Sequence, residues 1–68
     1  MLNIPAFLLR KRMIVKKLEK YGAISEESAK TLEEAGVINP NAFPKVTEDL
    51  EKQKILVKTK DNKYYLNK

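Results

Sequence analysis

The stretch from Leu50 to Leu66 constrains this chain most, because it reads as the end of an amphipathic helix running directly into a β-hairpin. The runs Ile55-Leu56-Val57-Lys58-Thr59-Lys60 and Lys63-Tyr64-Tyr65-Leu66 flank the polar pair Asp61-Asn62. Aspartate and asparagine tolerate the left-handed backbone of two-residue hairpin turns, so this pair predicts the turn. With that turn Lys60 faces Lys63, Thr59 faces Tyr64, Lys58 faces Tyr65 and Val57 faces Leu66. Side chains alternate along a strand, which puts Val57, Thr59, Tyr64 and Leu66 on one face and Leu56, Lys58, Lys60 and Tyr65 on the other. The first face suits burial; the second carries lysines.

The hairpin must share a small core with everything before it. At 68 residues the chain makes one domain. A domain this short buries only about 60% of the surface its unfolded chain exposes, so a partner contact would help it. It holds no cysteine and no histidine, which removes disulfides, thiol chemistry, most zinc sites and the usual general base. The apolar start from Met1 to Leu9 is about half the length needed to cross a bilayer. Its basic cluster follows the apolar run, the reverse of a secretory signal. The expectation is a soluble, cytoplasmic protein with no membrane contact.

The net charge of +5 is segregated: residues 1–22 carry +5, residues 23–53 carry −4 and residues 54–68 carry +4. Basic ends on a chain this small invite a nucleic-acid partner.

From the start, Pro5 suits the first turn of a helix that runs over about 5–21 and ends at Gly22. Leu8, Ile14, Val15, Leu18 and Tyr21 follow helical spacing and suit its core face. Phe7, Leu9 and Met13 broaden the apolar surface beyond one stripe. With Leu2 and Ile4 they form a candidate interface for a second copy or another protein. Arg10, Lys11, Arg12, Lys16, Lys17 and Lys20 read as the solvated face. Ser25 suits the N-cap of a second helix over about 26–35, with Glu26 and Glu27 at its positive end and Ile24 stapled onto Ala29. Ala29 and Leu32 give its buried stripe, Gly36 ends it, and Val37 packs back on Leu32. Asn39–Phe43 reads as a turn, because Pro44 disfavours helix at Phe43. A third helix then runs over about 44–53 with Phe43, Val46 and Leu50 as its stripe, and the hairpin closes over about 55–67. The expected fold is mainly α with a small β-hairpin, in one domain spanning 1–68.

Helix, short strand, helix, turn, helix and hairpin, in that order, resemble a winged helix-turn-helix domain. The run Leu50-Glu51-Lys52-Gln53-Lys54-Ile55-Leu56-Val57 and the later Tyr64-Tyr65-Leu66 resemble the junction of recognition helix and wing in that superfamily. Ser25 to Val37 is similar to its second helix. The resemblance implies a three-helix winged fold that binds duplex DNA, with the third helix in the major groove and the wing on backbone or minor groove. It assigns groove contacts to Asn41, Lys45, Thr47, Glu48 and Lys52, and wing contacts to Lys58, Lys60, Asn62 and Lys63. Lysines in a wing suit phosphate contacts.

The function expected on this basis is a DNA-binding transcriptional regulator or small chromatin-associated factor, paired as a homodimer through its first helix. The alternative is a protein-interaction module on the same scaffold within a larger assembly. It draws on the near charge balance of the third helix, where Lys45, Lys52 and Lys54 meet Glu48, Asp49 and Glu51. The carboxylates fall in helical pairs and triples, and no glycine-rich phosphate loop, nucleophile–base pair or metal-ligand cluster is present. No enzyme activity, cofactor, metal or small-molecule ligand is expected.

Overall fold

A fifteen-residue helix, α1 (Ala6–Lys20), begins directly after Pro5, and Ile14 and Leu18 are its buried residues. The computed structural model describes residues 5–67. Gly22, at φ +67°, ends α1: its N–H donates to Glu19 O (3.0 Å) and that of Ala23 to Leu18 O (2.9 Å), the paired bonds of a Schellman ending. Val15 is half-buried, whereas Leu8 and Tyr21, expected on the core face, are exposed. The cause is length. The helix packed on α1, α2 (Pro44–Lys52), has nine residues, so its roughly 14 Å covers only part of the roughly 22 Å of α1.

Residues 26–35 do not form the expected second α-helix. Ser25 caps a turn instead: the Ser28 N–H donates to Ser25 O (3.1 Å), and Ser28 Oγ accepts from the N–H groups of Ile24 (3.1 Å) and Ser25 (3.0 Å). Short hydroxylated side chains offer the backbone this alternative to a helix. Ile24 is exposed rather than stapled onto Ala29. Lys30 then pairs with Tyr64 through both backbone bonds, Lys30 N–H to Tyr64 O (3.0 Å) and Tyr64 N–H to Lys30 O (2.7 Å). A single helical turn follows, bounded at both ends. Thr31 and Glu34 form a reciprocal capping box, with the Thr31 N–H on Glu34 Oε1 (2.9 Å) and the Glu34 N–H on Thr31 Oγ1 (3.0 Å). Gly36 closes the turn, its neighbour Val37 donating to Leu32 O (2.9 Å). The ending is the expected one; the start lies six residues later than Ser25.

The turn over 39–42 and the start of α2 at Pro44 match the expectation. Val46 and Leu50 are buried, but Phe43 stands at the N-cap in the left-handed region (φ 54°) and is 65% exposed. α2 ends as α1 does, with Lys54 (φ 61°) in the role of the glycine and the Ile55 N–H on Leu50 O (2.9 Å).

The hairpin consists of β1 (Leu56–Lys58) and β2 (Tyr64–Leu66), paired Leu56↔Leu66, Val57↔Tyr65 and Lys58↔Tyr64. This register is one residue away from the expected one. The loop is Lys60-Asp61-Asn62: the Thr59 N–H donates to Lys63 O (2.8 Å) and the Asn62 N–H to Thr59 O (3.1 Å), while Asn62 takes φ 61°. A type I turn followed by a left-handed residue is the usual three-residue solution, and the Thr59 hydroxyl secures it by accepting from the Lys63 N–H (3.1 Å). The shift exchanges faces. Leu56, not Val57, joins Leu66 in the core, and Val57 lies half-buried opposite Tyr65. β2 is bonded along both edges, to β1 on one side and to Lys30 and Ala23 on the other, the Leu66 N–H reaching Ala23 O (2.8 Å). Ile14, Leu18, Leu32, Val46, Leu50, Leu56 and Leu66 form the centre of the core. Among the described residues no helix is long and apolar enough to cross a membrane.

Candidate nucleic-acid interface

α2 stands between two depressions. One is a cleft of about 460 Å³ walled by the turn at Thr31–Glu33, by Pro40 and Asn41, by one side of α2 and by the hairpin. Five of the nine expected contact residues line it: Asn41, Thr47 and Glu48 from the loop and helix, Lys58 and Asn62 from the hairpin. Lys45, Lys52 and Lys60 are exposed and Lys63 is half-buried, but none of these four lines the cleft. Thr47 is 7% exposed and lies in the cleft wall.

The sign of the cleft departs from what phosphates would need. Glu33, Glu48 and Glu51 face one lysine, Lys58. Burial raises the Tyr64 phenol above its ordinary value, and the Glu51 carboxylate adds to that. The Glu34 carboxyl is held below its ordinary value chiefly by the Thr31 N–H, with smaller help from Lys63, the Thr31 hydroxyl and Lys30 against the opposing effect of desolvation. The positive charge of this side therefore sits on the hairpin, and the negative charge on α2 and the turn before it.

The second depression, about 400 Å³, runs between the start of α1 and the start of α2. Phe7, Leu9 and Met13, expected at an interface, line it together with Ala6, Arg10, Phe43 and Val46. Leu2 and Ile4 lie outside the described residues.

Two residues assigned to a solvated face make long-range contacts instead, and one of them, Arg10, lines this groove. Arg10 donates from one guanidinium nitrogen to Ile38 O (2.6 Å) and from the other to Asn39 O (2.7 Å) and Ala42 O (3.3 Å), and it lies 5.5 Å from the centre of the Phe43 ring. The clamp holds a loop in which Asn39 and Phe43 both take left-handed backbones, an arrangement that persists only where its surroundings impose it. Lys11 pairs with Asp49 and stands 5.1 Å from the Phe7 ring centre. No local pattern marks the hydrogen bonds of Arg10 or the Lys11–Asp49 pair, since those partners lie 28 or more residues away. The Thr31-x-x-Glu34 capping box, by contrast, is a readable signal.

Among the described residues no group of three or more acidic, histidine or cysteine side chains is placed to hold a metal ion. No family model, curated protein or solved structure matches this chain.

Proposed function

We propose that this chain is a winged-helix domain that binds duplex DNA and acts in the cytoplasm as a transcriptional regulator or small chromatin-associated factor. The order α1, paired Lys30, helical turn, α2, β1 and β2 supports this reading, with the second helix reduced to one turn. The observation that carries it is convergence: α2 and the lysine-bearing hairpin flank one cleft, with Asn41 and Glu48 from one side and Lys58 and Asn62 from the other. Carboxylates keep phosphate away from the cleft floor, so backbone contacts fall to Lys58, Lys60 and Lys63, with Lys45 and Lys52 beside them. Fluorescence anisotropy against a generic duplex tests the reading. Three wing contacts should cost roughly 40-fold in affinity between about 50 and 200 mM salt. Replacing Lys58, Lys60 and Lys63 with glutamine should flatten that dependence. No binding at high micromolar protein and low salt overturns it.

The apolar groove favours a second reading, an interaction module that pairs with a second copy or another protein through Phe7, Leu9 and Met13. Exposed aromatic and aliphatic side chains gathered around one groove are what such a contact requires. Sedimentation should show concentration-dependent association that Leu9→Asp removes. A monomer at hundreds of micromolar rules out the homodimer.

A further inference from the structure

We infer that the groove between the starts of α1 and α2 docks a helical segment of another polypeptide whose apolar face is bordered by carboxylates. The inference rests on the interaction-module reading and adds the chemistry of the partner. Phe7, Leu9 and Phe43 are 44%, 51% and 65% exposed, and with Met13 and Val46 they line about 400 Å³. A hollow between two helices, walled by such side chains, fits the apolar face of a third.

Charge selects the partner. Residues 1–18 hold five cations and no carboxylate. Arg10 stands in the groove wall, and its guanidinium bonds only neutral carbonyls. Its Nε is the one buried side-chain polar atom without a partner among the described residues, so no carboxylate compensates this cation. Arg12 follows Leu9 by one turn of α1, and Lys17 follows Met13 by one turn, spacings that place neighbours on one helix face. Neither forms an ion pair among the described residues. The carboxylate that α2 presents to α1, Asp49, is already taken by Lys11. The groove therefore has an uncompensated positive border, which attracts carboxylates. A second copy laid symmetrically across it would bring two such borders together. An anionic bilayer shares the required sign, but it takes up a protruding apolar face, whereas these side chains line a hollow.

The test titrates the full chain, without DNA, into labelled capped peptides of about 16 residues, long enough to form a helix. One carries a leucine stripe at spacings of three and four with glutamates beside it; two counterparts carry glutamine or lysine in place of glutamate. The glutamate peptide should bind most tightly, and the glutamine peptide about fivefold more weakly at low salt, as two border contacts imply. That gap should close as salt rises. Leu9→Ser should weaken binding of the glutamate peptide about tenfold, as truncation of an anchor does. Replacing Arg12 and Lys17 together with glutamate should turn the preference toward the lysine peptide, a reversal that a loss of folding cannot produce. Equal binding of the glutamate and glutamine peptides overturns the inference and leaves the interaction module standing. Absence of binding by all three peptides, in a chain that sediments as a monomer, removes both. A dimer that the glutamate peptide fails to dissociate makes the second copy the occupant. Tighter binding to vesicles of phosphatidylserine and phosphatidylcholine in equal parts makes it the bilayer. Either result overturns the inference.

Discussion

The two depressions beside α2 have similar volumes, about 460 and 400 Å³, and opposite chemistry. The cleft toward the hairpin is rich in carboxylates and amides; the groove toward α1 is lined by Phe7, Leu9, Met13, Phe43 and Val46. They differ because α2 is short and amphipathic. Val46 and Leu50 bury one stripe, while Pro44, Thr47, Glu48 and Glu51 turn toward the hairpin. The overhanging start of α1 has no such polar neighbour to meet. One nine-residue helix therefore gives the molecule two surfaces of opposite character.

That comparison is broken most completely in the buried stripe of α2, which stands behind both depressions. Leu50 is 1% exposed, and Leu50→Ala should cost about 3 kcal/mol. This is a large part of the roughly 3–10 kcal/mol that a domain of this length commands. Urea unfolding should show the loss, and both depressions should go with it.

Arg10→Ala should damage the groove alone. It frees three loop carbonyls and the Phe43 ring, with an expected loss of about 2 kcal/mol. Hydrogen exchange should quicken over residues 38–43 and stay unchanged around Thr47. Arg10→Lys should recover little, since an ammonium cannot span the carbonyls as the planar fork does.

Thr31→Ala addresses the cleft side. Loss of the capping box should cost about 1 kcal/mol by the same unfolding measurement. A pH series separates the acidic half of the box. The folded-state value of Glu34 is lowered, so its contribution is present above the ordinary glutamate value of about 4.3 and is lost as pH falls through the lowered one. The gap between the parent and Glu34→Ala should be constant at neutral pH and close on acidification.

The smallest effect is a gain at the end of α2, away from both linings. Lys54 holds φ 61° where glycine would be unstrained, so Lys54→Gly should stabilise by about 0.5 kcal/mol once the extra freedom of the unfolded chain is offset. A lower melting temperature would show that the lysine stem contributes packing there.

These positions also show which parts of the fold could be read from sequence. The bounds of α1 and α2 and the endings at Gly22 and Gly36 follow from signals within a few residues, and the structure keeps them. The segment from Glu26 to Ala35 carries equally local helix signals, but the free edge of β2 claims the backbone of Lys30, and tertiary pairing outweighs propensity. The hairpin register turned on whether Asp61-Asn62 or Lys60-Asp61-Asn62 forms the loop, and Thr59 decides it through its own hydroxyl. At the site, the resemblance assigned contacts to Asn41, Thr47, Glu48, Lys58 and Asn62, which line one cleft, but also to Lys45, Lys52, Lys60 and Lys63, which do not. The three-carbonyl clamp of Arg10 was not legible, because distant backbone acceptors leave no pattern in a sequence.

β2 has a consequence for how the molecule is made. It is held on both edges, and Ala23, Lys30 and β1, which hold it, all precede it in the chain. As the polypeptide leaves the ribosome, Leu18, Leu32 and Leu56 wait for Leu66 before their common core can close. A core that needs Tyr64–Leu66 to close makes its assembly depend on contacts distant in sequence, which folding reaches later than the local turns of a helix.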